Sequence, residues 1–162
     1  PCLVPADSPL GQLEGGTNMV VVEGDAVEQV VLRGPGAGQG PTASAVMGDV
    51  CDLARGFRMP VFGRPASSLE SVKSARSGLP APFYLRMSLQ DKRGALAKVA
   101  AILGNSGISI DRMRQYSHVE TTAPVLIVTH KTTRAALDEA LKAMEGIDVV
   151  ASAPVALRIE NV

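Results

Sequence analysis

Phe83-Tyr-Leu-Arg-Met-Ser-Leu-Gln-Asp-Lys-Arg-Gly-Ala-Leu-Ala-Lys-Val-Ala-Ala-Ile-Leu-Gly-Asn-Ser-Gly-Ile-Ser-Ile110 changes its hydrophobic period partway along. Phe83, Leu85, Met87 and Leu89 alternate with Tyr84, Arg86, Ser88 and Gln90, the period of two that a strand needs. Leu96, Val99, Ala100 and Leu103 then recur at i, i+3, i+4 and i+7, one apolar face of a helix. Asp91 stands where it can cap or charge-complement that helix. Gly94 permits a tight turn and close backbone approach. Gly107 suits a left-handed residue at the helix end, before a second strand from Ile108. The reading is strand, tight loop, helix, strand. The helix N-terminus at the loop can receive an anion such as an amino-acid carboxylate, or Asp91 and Gly94 can serve only to make the turn.

The residues that follow repeat the plan. Arg112 to Ser117 continue an extended segment, and 118–122 read as a polar connection. Pro124 to His130 is β-branched and nearly continuously apolar, as a central strand is. Thr132 or Thr133 can cap a helix whose face is Leu137, Ala140, Leu141 and Met144, with Gly146 as its stop. Ile147 to Ile159 is extended and interrupted at Pro154. The order β-α-β-β-α-β predicts an α+β fold of the ferredoxin-like plan, one antiparallel sheet with two helices on one face.

Asp91-Lys-Arg-Gly-Ala-Leu-Ala97 with Gly107-Ile-Ser-Ile110 resembles the signature of the ACT domain, a small-molecule sensing module commonly paired side by side. Val125-Leu-Ile-Val-Thr-His-Lys-Thr-Thr133 and Asp148-Val-Val150 narrow the resemblance to the ACT domain that ends homoserine dehydrogenases.

Glycine and proline are unevenly spread: 20 of the 27 lie in residues 1–80, so the first half is loop-rich and the second half regular. Residues 1–16 read as mostly irregular. Residues 17–23 and 26–32 predict a β-hairpin around a two-residue Gly24-Asp25 loop, and two strands alone are marginal in water. The hairpin therefore expects a larger sheet. Gly34-Pro-Gly-Ala-Gly38 then leads into a helix with Pro41 in its first turn and Val46, Val50 and Leu53 as an apolar stripe. Such a loop can cradle phosphate or simply turn the chain. It lacks the Lys-Ser/Thr of a P-loop and the GxGxxG spacing of a dinucleotide fold. Residues 56–80 read as a linker with a short ordered piece at 59–62.

Leu3-Val-Pro5, Pro9-Leu10, Asn18, Gly24-Asp25 and Gly34-Pro-Gly-Ala-Gly38 with Pro41-Thr-Ala-Ser-Ala-Val46 resemble the end of the homoserine dehydrogenase catalytic region. The resemblance implies three parts: 1–55 as the end of a catalytic domain, 56–80 as a linker and 81–162 as an ACT regulatory domain. It implies an oxidoreductase interconverting L-homoserine and L-aspartate 4-semialdehyde with NAD(P), in threonine and methionine biosynthesis. It places Gly38 near the nicotinamide cofactor. Feedback by L-threonine is implied; the expected site is Asp91, Gly94 and Ala95 of the loop with Ser109, completed by a second chain, and a homo-oligomer, a dimer or larger, is expected through the ACT domain. The family's Rossmann fingerprint, catalytic lysine and homoserine-holding acidic residues lie upstream of what resembles Pro1. No catalytic residue is assigned here, and this chain alone is expected to be inactive. An amino-acid sensor built on the ACT domain alone, or a pure dimerisation module, are the other readings.

Composition narrows the class. Sixteen lysines and arginines balance 16 aspartates and glutamates, which gives no reason to expect nucleic acid or an anionic membrane as partner. No apolar run approaches the ~18 residues that span a bilayer. Cys2 and Cys51 show no metal or disulfide spacing, and His118 and His130 no ligand spacing, so no metal is expected and the expected location is the cytoplasm. With no Trp and five other aromatics, the core must be aliphatic. A first residue Pro1 rather than Met reads as a cut, processed or truncated start.

Overall fold

The computed structural model describes residues 1–60, 62–71, 78–117 and 121–161. Its elements run β1 (Cys2–Leu3), β2 (Thr17–Gly24), β3 (Glu28–Pro35), α1 (Gln39–Ala54), β4 (Phe83–Gln90), α2 (Ala95–Asn105), β5 (Ile110–Gln115), β6 (Thr122–Thr129), α3 (Arg134–Met144) and β7 (Val155–Ile159). They form two compact units, Ala6–Ser74 and Pro1–Pro5 with Ala75–Val162.

The second unit is the expected βαββαβ fold. Its sheet has the order β1-β7-β4-β6-β5, antiparallel throughout except that β1 runs parallel to β7. Phe83, Leu85, Met87 and Leu89 of β4 are buried, as are Ala123, Val125 and Ile127 of β6, because each alternating row faces the helices. Val99 and Leu103 of α2 and Leu137, Ala140 and Met144 of α3 close over them in one aliphatic cluster. Leu96 and Leu141, at the margins of their helical faces, pack against it partly buried. Thr129 ends the buried row of β6, and its Oγ1 accepts a hydrogen bond from Phe83 N–H at 3.0 Å. A buried hydroxyl is tolerable there because it has that partner.

Helix termini follow local chemistry. Gly107 has φ +71°, Ile108 N–H donates to Leu103 O at 2.9 Å and Gly107 N–H to Gly104 O at 3.0 Å, a Schellman closure with Ile108 folded back into the core. Of the two candidate caps for α3, Thr133 does the work: its Oγ1 accepts from Ala136 N–H at 3.2 Å. Thr132 instead bridges Ala81, its N–H donating at 2.9 Å. The α3 helix ends at Met144, with Gly146 two residues beyond.

One expectation at the start of α2 needs correction. Asp91 does not cap the helix; the N-cap is Gly94, at φ +81° and without a side-chain cap bond. The N-cap falls three residues beyond Asp91. Lys92 N–H donates to Gln90 O at 2.8 Å and Asp91 N–H to Thr121 O at 2.9 Å.

In the first unit β2 and β3 form the expected hairpin, but Gly24 pairs with Glu28. The loop is therefore Asp25-Ala26-Val27, closed by Glu28 at φ +56°. A left-handed residue after a three-residue loop restores the strand twist as a two-residue primed turn would. The linker holds a 3-10 turn at Ala66–Ser68, and Gly63 N–H donates to Pro60 O at 2.9 Å; Val61, within the piece expected at 59–62, lies outside the described residues. Within this unit Ser8 is the one described residue that is buried; its Oγ accepts from Gly11 N–H at 3.1 Å. None of α1 is buried, and Val46, Met47, Val50 and Leu53 are each half exposed or more. Val22 and Leu32 of the hairpin are likewise exposed. Cys2 and Leu3, read as irregular, pair as β1 with Arg158 and Ile159.

Candidate functional site

The glycine-rich loop ends on Gly38, the N-cap of α1, with φ +118° and ψ 153°. No L side chain adopts that φ comfortably, so glycine is required there by conformation, quite apart from any ligand. A Cβ would meet Pro41 Cδ at 3.5 Å, ordinary contact, so space is not what excludes it. The N-cap has no side-chain bond and the first turn of α1 no acidic residue, so the N–H groups opening the helix keep an uncompensated dipole. Gly38, Gln39, Thr42, Ala43, Val46 and Met47 line an open, mostly apolar groove of about 540 Å³ along the helix. The end at the helix N-terminus favours an anion, and the rest of the groove is apolar.

At the ACT loop, Asp91, Lys92, Arg93 and Gly94 are exposed, and nothing lies within 4 Å of a Cβ built on Gly94. Ala95 differs. Its side chain is buried in the core and its N–H donates to Lys92 O at 3.1 Å, so neither is presented to a ligand. Beside the loop Lys98 Nζ reaches Asp148 Oδ1 at 2.7 Å, a pair that ties the first turn of α2 to the segment after α3. The Lys98 hydrogen bond holds the Asp148 carboxyl below its ordinary value.

Ser109 lies elsewhere. Asp91 adjoins Thr121, before the first residue of β6, whereas Ser109 O accepts from His130 N–H at 2.9 Å, after its last. The two ends of an eight-residue strand are roughly 25 Å apart, so one chain does not bring Asp91 and Ser109 to the same ligand. His118 lies outside the described residues; His130 is exposed at the end of β6. Among the described residues there is no group of three or more His, Cys, Asp or Glu that could hold a metal, and no helix long and apolar enough to cross a membrane.

Sequence reasoning passed over a further feature of this unit. Beside Pro154 the β4–β7 ladder slips, leaving a recess lined by Arg86 and Ser88. The interrupting proline was visible in the sequence, but the recess is made by register, which was not.

Comparison with known proteins reads the two units separately and then together. Residues 1–51 match the homoserine dehydrogenase family model and residues 83–148 the ACT domain model. A homoserine dehydrogenase of Mycobacterium tuberculosis (strain ATCC 25618 / H37Rv) is 36% identical over 167 residues, covering 99% of this chain and 38% of that protein. One from Pseudomonas aeruginosa is 32% identical over 177 residues, covering 99% and 39%. The crystal structure of a homoserine dehydrogenase from Thiobacillus denitrificans superposes with a TM-score of 0.81 at 31% identity, over 99% of this chain and 38% of that one. The chain thus spans under two fifths of the length of these relatives. With both signatures in the same order, and the match running through the residues between them, the chain belongs to the homoserine dehydrogenase family and corresponds to the C-terminal portion of its members, ending in an ACT domain.

Proposed function

We propose that the chain serves as the C-terminal part of an enzyme that oxidises L-homoserine to L-aspartate 4-semialdehyde. The observation that carries this reading is the pairing of a catalytic-end segment whose apolar helix and hairpin faces lie uncovered with a separately cored ACT domain. In the complete enzyme, NAD(P)+ would accept the hydride from the homoserine carbinol carbon, and the proton would leave to a base outside the residues assigned here. This chain would contribute Gly38 and the opening N–H groups of α1 as a close backbone surface for the cofactor. The apolar stripe Val46, Val50 and Leu53 would pack onto the cofactor domain. That role places the protein in the cytoplasm, in threonine and methionine biosynthesis; both cysteines, Cys2 and Cys51, are unpaired and exposed.

The ACT domain is read as the sensor of an amino acid, L-threonine before others. The loop from Asp91 to Gly94 opens onto solvent at a helix N-terminus, where the Gly94 N–H and the helix dipole favour a carboxylate. Asp91 would receive the ammonium. Ser109 can join only from a second copy. A two-fold axis across the β5 edge reverses the second strand and puts that copy's Ser109 at the Asp91 end of the sheet.

A melting scan of the chain with threonine, serine, methionine and lysine tests the reading. At 100 times its dissociation constant a ligand stabilises the fold by roughly 2.7 kcal/mol, several degrees at ~2–4 °C per kcal/mol. Threonine should give that shift, and Asp91→Ala should abolish it. No shift with any of the four removes the sensor role. An equal shift in wild type and Asp91→Ala moves the site elsewhere. Turnover of homoserine by the purified 162-residue chain would contradict the division of labour proposed for its two units.

A further inference from the structure

The sheet face away from the helices holds a feature that the sensor reading does not use. Arg86 pairs with Val155 in a regular ladder, but further along the bridge is Leu89 with Val150, and Ala151 N–H donates to Ser88 O at 2.9 Å. The two registers differ by two residues, so Ser152, Ala153 and Pro154 bulge away from β4 opposite Met87 and Ser88. Even-numbered residues of β4 turn their backbone groups toward β7, as the Ser88 carbonyl and the Gln90 N–H do. The Ser88 N–H therefore points into the bulge, where Pro154 breaks the ladder, and among the described residues it donates no backbone hydrogen bond. A strand N–H left without its ladder partner favours an acceptor from outside.

The bulge opens a recess of about 280 Å³ whose walls include Arg86, Ser88, Pro124, Ser152, Ala153 and Val155. Arg86 is exposed, and among the described residues neither a carboxylate nor a hydroxyl is bonded to it. The polar side chains are thus one guanidinium and two hydroxyls, all able to donate, with the Ser88 N–H beside them. Pro124, Ala153 and Val155 supply an apolar wall. Among the described residues no Asp or Glu lines the recess, so an ammonium group would find no counter-charge from them there.

We infer that the recess at the Pro154 bulge binds a small monocarboxylate with a short apolar tail and no ammonium group, its oxygens held by the Arg86 fork and the Ser88 N–H and hydroxyl. The site is separate from the Asp91 loop, which has the carboxylate that this recess lacks, and stands or falls independently of threonine sensing. Planar donors matched to a planar carboxylate give the specificity.

Titration of the 15N-labelled 162-residue chain with isobutyrate, followed at the Ser88 amide, tests this. The amide should shift saturably below about 50 mM, a range that captures any millimolar dissociation constant. α-Aminoisobutyrate, the same carbon skeleton bearing an ammonium, should bind more weakly. Arg86→Gln should weaken isobutyrate by about tenfold or more, while Asp91→Ala leaves it unchanged. Because Arg86 is exposed, Arg86→Gln should melt with the wild type, which separates lost binding from lost folding. A Ser88 amide that does not move, that moves no more than with chloride at equal ionic strength, or that responds equally in Arg86→Gln overturns the site. Binding of α-aminoisobutyrate as tight as, or tighter than, that of isobutyrate overturns the ligand class.

Discussion

Gly94 and Gly38 hold positive φ for different stretches of chain, and both can be tested without any ligand. At Gly94, φ is +81° with open space around a built Cβ. Gly94→Ala should therefore cost only the left-handed backbone penalty, about 1–2 kcal/mol, by urea denaturation. A larger loss would mean a contact that the loop does not make. Gly38→Val adds a β-branched side chain at φ +118° and should impair NAD(P) affinity in the complete enzyme, where backbone is read as meeting cofactor. Unchanged affinity would leave Gly38 with a conformational role alone. Asp148 has the opposite kind of test. Its carboxyl is held below the ordinary range by Lys98, so its contribution is present above the ordinary carboxylate pKa and fades as pH falls through the lowered value. Melting curves of wild type and Asp148→Asn should converge as pH drops through that interval and separate above it. Divergence at low pH would reverse the sign.

Strand β4 and strand β5 show how element position decides what a substitution costs. Leu85 is fully buried under both helices, and Leu85→Ala should lose about 2–5 kcal/mol. The sequence carried this information, because strict alternation names the buried row directly. Strand β5 is an edge. Tyr116 N–H donates to Pro124 O, so even-numbered residues bond inward to β6 while the N–H groups of Met113 and Gln115 face outward. On the other side β1 covers β7, its Leu3 carbonyl accepting from Glu160 N–H at 2.9 Å. An unpaired edge invites another strand. The proposed homodimer should form through β5, giving a dimer in sedimentation at tens of micromolar. Met113→Pro, which removes an outward N–H and no β5–β6 bond, should shift it toward monomer with little loss of melting temperature. An unchanged dimer in that variant would move the interface off β5.

For the chain taken entire, the difference between its units is physical rather than merely compositional. Residues 83–161 bury Phe83, Leu85, Met87, Val99, Leu103, Ile127, Leu137 and Met144 together, whereas the unit Ala6–Ser74 buries Ser8 alone among its described residues. In the complete enzyme the exposed faces of α1 and the hairpin are expected to gain partners. Val46→Asp should therefore leave the melting of this chain nearly unchanged yet destabilise the enzyme that contains it. Equal effects in both would show that α1 is packed the same way in each.

The period changes, the capping threonine and the glycine stops of the second unit were legible because each is a local rule: alternation, 3.6-residue spacing, a side-chain acceptor three residues from an N–H. The catalytic-end signature was legible for a related reason, since Gly38 stands at a φ that glycine alone adopts readily. Non-local geometry was not legible. That Asp91 and Ser109 fall at opposite ends of β6 follows from strand direction, which sequence proximity conceals. That Ala95 faces the core rather than a ligand follows from where α2 begins its turn. Whether β7 keeps one register past Pro154, and so whether the Ser88 N–H keeps a ladder partner, depends on how two strands distant in sequence settle against each other. No single segment encodes that pairing; the packed sheet does.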